Sequence, residues 1–371
     1  MRNSARLISA ACVIASMPVL SLAADAAADA PPSGPGLTDV LAASGVAVHG
    51  YVSAGYLYNS GLGNYRTFDV QHDSFDLHQA GLTVAYQPTE GFGGVVNVVA
   101  GHDAGLLNAY TSGGGSGDIN LTQAFVQYAS GSWTVMGGRF ATLVGAEVIN
   151  PTLNVNTSRS LLFNYEPLTH TGVRAVYAYD STLSFTFGLN NGWDQVNDLN
   201  SQKTIEAGML WAPSKAFTLG AQGYYGTEPA YAGGSAGART IIDLVATWTL
   251  SDSLSLVLNY DYGSQEKTLL PSTSLGTASW QGVAGYLNYA IDDNWRVSLR
   301  AEYFDDEDGA RTGTPQKLKE GTLTLAYAPS KAFEVRGELR ADESDVATFL
   351  KPASAVGKSQ FSVSLEGVFK F

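Results

Sequence analysis

The sequence is poor in the features on which soluble enzymes and helical membrane proteins depend. Charged residues make up 15% of its 371 positions, against about 25% in an ordinary soluble domain. Lysine is scarce, and beyond residue 25 no run of 18 apolar residues occurs, which excludes a chain that crosses a bilayer by helices. The single cysteine, Cys12, sits in a stretch that reads as a secretory leader: Arg2 and Arg6, an apolar run over 7–22, then small-residue exits at 21–23 or 24–26. Residues 1–23 are therefore expected to be cleaved as a signal peptide. Ser9, Ala10 and Ala11 before Cys12 lack the leucine of a lipidation site. The mature chain then has neither disulfides nor thiolate chemistry. Acids outnumber bases 34 to 21, a formal charge of −13, and losing Arg2 and Arg6 makes the balance still more negative. Nucleic acid is excluded as a partner on that ground.

Segment 24–44 is small-residue and Pro-rich at first, the composition of a flexible periplasmic lead-in. A short helix over 37–44 is expected behind a Thr38 or Asp39 cap. From residue 45 the apolar residues recur at every second position. The end of the chain, 359–371, shows the pattern plainly: Phe361, Val363, Leu365, Phe369 and Phe371 alternate with Ser362, Ser364, Glu366 and Lys370. Such stretches match transmembrane strands of roughly 9 to 11 residues, and a terminal Phe after them is similar to the C-terminal signature of bacterial outer-membrane barrels.

Sixteen strands are predicted, over about 46–59, 74–87, 93–102, 119–129, 133–142, 168–179, 182–193 and 202–211, then 217–227, 239–250, 254–265, 279–290, 295–305, 317–328, 332–342 and 359–371. Tight Pro, Gly, Asp, Asn and Ser turns alternate with longer polar loops without a break. Short periplasmic turns, long external loops and an even strand count belong to outer-membrane barrels. The expected fold is all-β, a 16-stranded antiparallel transmembrane β-barrel over 45–371, with outer-membrane lipid around it. Aromatics flank the turns as a girdle: Tyr86 and Phe92, Tyr128 and Trp133, Trp211 and Phe217, Tyr289 and Trp295, Tyr327 and Phe333. The repeat APSKAF at 212–217 and 328–333 marks two equivalent turns.

A cylinder this wide keeps an aqueous channel, so the polar faces line a lumen. Charges there cost less than on the lipid side, which places Arg296, Arg300, Arg336 and Arg340 inside. The longest loop, 143–167, is the third external one and is expected to fold inward, with Glu147 and Arg159 at a constriction opposite Arg139, His170 and Arg174. The five histidines are dispersed without metal-ligand spacing, and the glycines of 113–117 precede no helix that would make a phosphate cradle. Asp73, His78, His102 and Asp103 are the only candidates for rim catalysis of the kind some barrels carry. No enzyme, metal or cofactor is expected.

Along these strands and loops lie FDLHQAGL at 75–82, GRF at 138–140 with GAE at 145–147, NTSR at 156–159, HTGVR at 170–174 and NGWD at 191–194. These segments resemble the β-barrel porin family described as OmpL-like. The resemblance covers nearly the whole mature chain and implies an outer-membrane diffusion channel, without assigning catalytic residues or a substrate. The function expected is passive uptake of small hydrophilic solutes and ions through a porin. Two alternatives are a channel for sugars or peptides using Tyr51, Tyr224 and Tyr286, and a plugged structural or adhesion barrel. Monomers and a homotrimer share this pattern.

Overall fold

A strand that alternates over its whole length needs a partner on each edge, and this chain supplies the last partner by closing on itself. The computed structural model describes residue 41 and residues 43–371 apart from 112–114, 230–234 and 271–273. The expected leader and most of segment 24–44 lie outside the described residues. The first half of the barrel holds β1 (Val46–Asn59), β2 (Ser74–Tyr86), β3 (Gly91–Ala100), β4 (Ile119–Ser130), β5 (Trp133–Ala141), β6 (Thr169–Ala178), β7 (Leu183–Asn190) and β8 (Thr204–Ser214). The second half holds β9 (Phe217–Glu228), β10 (Gly237–Thr249), β11 (Leu254–Leu269), β12 (Leu275–Ala290), β13 (Trp295–Asp306), β14 (Gln316–Ser330), β15 (Phe333–Ser344) and β16 (Ser359–Lys370). Each pairs antiparallel with its sequence neighbours, and β1 also pairs with β16, from Tyr51↔Lys370 to Asn59↔Ser362. All sixteen expected strands are therefore present, and the sheet is a closed barrel. In lipid the backbone groups of an open edge would find no partner, so closure is obligatory.

The terminal aromatic completes that seam. Gly50 N–H donates to Phe371 O at 2.8 Å and Phe371 N–H donates to Gly50 O at 2.9 Å. A Cβ at Gly50 would lie 2.2 Å from the Phe371 ring. Only glycine lets the last ring settle on the first strand.

The two faces separate as the alternation requires. Along β14 burial alternates residue by residue: Leu318, Glu320, Thr322 and Thr324 are buried inside, while Lys319, Gly321, Leu323 and Leu325 are exposed outside. The girdle rings meet across neighbouring hairpins more than within one. Phe92 packs on Tyr128 (4.8 Å between centroids), Trp133 on Tyr177 (4.7 Å) and Trp295 on Tyr327 (4.6 Å). The cause is register, because the start of one strand stands opposite the end of the next, as in Trp295↔Tyr327. Trp211 and Phe217 do meet within one hairpin, at 5.9 Å. The two APSKAF turns are equivalent, each with a register irregularity beside the turn.

Two departures from expectation matter. β11 and β12 run about four residues further outward than the alternation indicated, across a bulge between Gln265 and Thr268 where Glu266 and Lys267 break the apolar pattern. A nine-residue helix, α1 (His102–Tyr110), occupies the second external loop. Its buried Ala104 and Leu107 turn toward the barrel.

Because β13 turns Leu299 outward, 49% exposed, and Arg300 inward, 0% exposed, the cost of a charge depends on parity. Leu299→Arg should lower stability by about 2–4 kcal/mol in urea titrations of barrels refolded into phospholipid vesicles. Asp293→Arg, in the 292–294 turn, should stay within about 0.5 kcal/mol of the unsubstituted protein.

Candidate functional site: the loop between β5 and β6

The 27 residues between Ala141 and Thr169 do not stand outside the barrel; they cross its lumen. Their local structure comes from residues that compete with regular hydrogen bonding. Asn150 caps a single 3₁₀ turn, Pro151–Leu153, by accepting from Thr152 N–H at 2.9 Å. Asn154 reaches back to Val148 in both directions, accepting from its N–H at 2.9 Å and donating to its carbonyl at 2.8 Å. Ser160 caps a short helix, α2 (Leu161–Tyr165), through Phe163 N–H. Such side-chain to backbone bonds fix irregular chain as firmly as a ladder fixes a strand. Arg159 ties the turns together: it donates to Val148 O (2.9 Å), Ile149 O (2.8 Å) and Thr157 O (3.0 Å), and its guanidinium lies over the rings of Phe68 and Phe163.

The preformed loop is fastened to the far wall. Arg300 on β13 donates to Glu147 Oε1 and Ser158 O, both at 2.8 Å, and pairs with Glu320 at 3.2 Å. Arg296 donates to Val155 O (3.2 Å), Arg336 to Pro151 O (3.1 Å), and Arg340 to Arg159 O. The acids of the wall take the loop's N–H groups: Glu338 from Thr157 (2.7 Å) and Ser158 (2.9 Å), Glu302 from Leu161 (2.8 Å). Hydrogen bonds with one ionised partner are shorter and stronger than neutral ones. Apolar contacts complete the attachment. Leu161, Leu162 and Tyr165 join Trp280, Tyr286 and Phe304 in one buried cluster, with Tyr165 stacked on Phe304 at 4.4 Å. Gly282 admits α2 to the wall, since a Cβ there would fall 2.4 Å from Leu162. On the other side Ile149 and Phe163 pack with Phe68 and Leu107, bringing in the first external loop and α1.

The residues picked from the sequence thus fall into separate groups. Glu147 meets Arg300, across the lumen, and not Arg139, His170 or Arg174. Arg174 pairs with Glu206 at 2.8 Å and lies over the Phe140 ring. His170 stacks on Tyr224 at 4.3 Å. Arg139 donates to Leu121 O at 2.7 Å and to the hydroxyls of Thr111 and Thr169. Arg159 turns into its own loop. The reason is geometric: a loop that spans the lumen meets the wall opposite its root, so its acid finds the bases of β13. The four rim residues do not converge either. Asp73 accepts from Tyr56, Asp103 accepts from Gln79, and His102 lies 3.9 Å from Asp76.

One clamp was not anticipated. Asp194, in the fourth external loop, accepts from Leu168 N–H and Thr169 N–H, both at 2.8 Å, where the crossing loop re-enters β6. Burial pushes its carboxyl up to about 6, against the pull of those two N–H groups and of Arg139. The fold therefore takes up a proton there before the unfolded chain does. The resulting stability is complete below the unfolded value of about 3.9 and is lost as pH rises through about 6. Asp194→Asn should flatten the pH dependence of urea unfolding between about pH 4 and 6, and raise stability at about pH 8 by up to roughly 2 kcal/mol. Arg300→Ala should cost about 3–5 kcal/mol, because Glu147 and Glu302 would be left buried without their base and Glu320 with Arg340 alone; limited proteolysis of the folded barrel should then cut within 142–168.

Residues 45–371 match the family described as Putative beta-barrel porin-2, OmpL-like. No curated protein sequence matches the chain. Among solved structures it is similar to the outer membrane channel DcaP of Acinetobacter baumannii, at 14% identity and a TM-score of 0.61, covering 88% of this chain and 97% of that one. It is similar as well to the trimer form of OmpT, an outer membrane protein of Vibrio cholerae (13%, TM-score 0.62, 88% and 99%). The anion-selective porin from Comamonas acidovorans gives 14%, 0.60, 88% and 99%. At these identities the structures establish the shared barrel, while the family match spans all sixteen strands and the loop between β5 and β6. The chain belongs to the OmpL-like β-barrel porin family and is a channel for small solutes in the bacterial outer membrane.

Proposed function

We propose that the crossing loop is the constriction of this channel and that small hydrophilic solutes and ions pass it by passive diffusion, without catalysis. The observation that carries the reading is the attachment of residues 147–162 to β13–β15 through both side chains and main chain, which holds the loop at one place in the lumen. Of the pore-lining set read from the sequence, Glu147, Arg296, Arg300, Arg336 and Arg340 belong to this attachment. Arg139, His170 and Arg174 stiffen the wall at the loop's root, and Arg159 sets the shape of the loop itself. The charges are matched locally: Arg174 with Glu206, Arg336 with Glu366, Arg340 with Asp342. Rings of unmatched charge give selectivity, so arginines matched in this way favour weak ion preference at the constriction. Tyr51, Tyr224 and Tyr286 are buried beneath the loops and offer no open face for stacking sugars.

The assembly we propose is a homotrimer. The trimer form named for OmpT of Vibrio cholerae supports it, and so does an apolar groove of about 590 Å³ near β1–β5, lined by Val46, Val84, Tyr86, Val96, Val126 and Gly137 among others. A concave apolar strip on a membrane protein's outer surface is a place for another chain to pack. Planar-bilayer recordings test both readings. Small conductance steps in groups of three and a reversal potential near zero in a salt gradient are expected, with a several-fold larger step after excision of 148–160. Unchanged conductance after excision would overturn the constriction. Saturable block by one solute class would indicate a substrate-specific channel instead, and absence of conductance a plugged barrel.

A further inference from the structure

We propose that Glu166, Asp243 and Asp261 form a site for a divalent cation of the calcium class, at the point where both ends of the crossing loop meet the wall. Asp243 and Asp261 stand directly opposite each other in the β10–β11 register. Glu166 follows α2 at the end of the loop. The three carboxylates each bring an oxygen to within 4.8 Å of the others, and the residues are 6%, 1% and 3% exposed.

Three observations separate this group from an ordinary acidic patch. Glu166 Oε1 and Asp243 Oδ2 are buried without any hydrogen-bond partner; the donors nearby are already engaged, with Asn259 Nδ2 serving Asp243 Oδ1 at 2.8 Å and Asp261 Oδ1 at 3.2 Å. Space has been kept for the Glu166 carboxylate, because a Cβ at Gly145 (φ +90) would fall 2.0 Å from Glu166 Oε2. The charged groups that act on these acids are negative as well: Asp243, Glu147 and Glu302 on Glu166, Asp261 on Asp243, and Glu166 on Asp261, with only the neutral Asn259 and the Gly145 N–H beside them. Several other buried acids of the lumen have an arginine, as Glu206 has Arg174 and Glu366 has Arg336.

Three carboxylates can present six oxygens, mono- or bidentate, which suits calcium and its flexible coordination. The absence of imidazole and thiolate among the donors argues against zinc or copper. The place has a mechanical meaning. Ala146 N–H donates to Asn259 Oδ1 at 2.8 Å, so residues 145–146 and residue 166 meet on one patch of β10–β11. A bound cation staples the neck of the loop, a role that does not depend on what the channel conducts.

Equilibrium dialysis of the detergent-solubilised barrel against radiolabelled calcium tests the site. One ion per chain, bound at or below about 1 mM, is expected, with thermal unfolding shifted upward by calcium and back by EDTA. Affinity should fall by about tenfold or more in Glu166→Gln and in the Asp243→Asn/Asp261→Asn double variant. Glu166→Gln leaves the strands untouched and serves if the double variant does not fold. No calcium retained by the unsubstituted barrel, or equal retention by Glu166→Gln, would overturn the proposal and leave the three carboxyls sharing protons.

Discussion

A guanidinium buried in a lumen must be matched on all sides, and Arg300 governs what the inside of this barrel looks like. It is wholly shielded from solvent and meets Glu147, Glu320, Ser158 and Thr322 at once. Its partners come from the neighbouring strand β14 and from a loop rooted on the other side. A charge withdrawn from water is tolerable only when such a set is complete, so the position of the loop and the charge of the wall require each other. Sixteen strands enclose more space than their own side chains fill; the loop takes up part of it because the wall is built to hold it.

The manner of holding is also informative. Much of the wall's grip is on main-chain groups: carbonyls of Pro151, Val155, Ser158 and Arg159, and N–H groups of Thr157, Ser158 and Leu161. Backbone groups withdrawn from water need partners in any case. Charged side chains of β13 and β15 provide them where no neighbouring strand can. The loop's own side chains are thereby released for shaping it, which is the part Asn150, Asn154, Arg159 and Ser160 play.

The barrel was legible in the sequence because a period of two survives at every strand and turn residues interrupt it at intervals, so register between consecutive strands follows from the hairpins. What failed to show was everything that depends on contact across the lumen. Glu147 and Arg159 were readable as charges of the long loop, yet nothing in their spacing says which wall they reach. Asp243 and Asp261 were readable as inward acids, but their meeting with Glu166 is a fact of the loop's path. The helix His102–Tyr110 was missed for a local reason: it begins after Gly101 without a side-chain cap and carries Gly105 inside, so neither a start signal nor helix propensity marks it.

The seam between β1 and β16 has a bearing on how the molecule is made. Ser53 donates to Glu366 across 313 positions of chain, and Gly50 exchanges two hydrogen bonds with Phe371. No shorter length of polypeptide can zip the cylinder shut. Until β16 is available, the growing sheet carries two free edges, each a template for pairing with a stranger. Contacts this remote in sequence are also the slowest to form. Biogenesis must therefore hold the nascent chain apart from its own kind until β16 has been made.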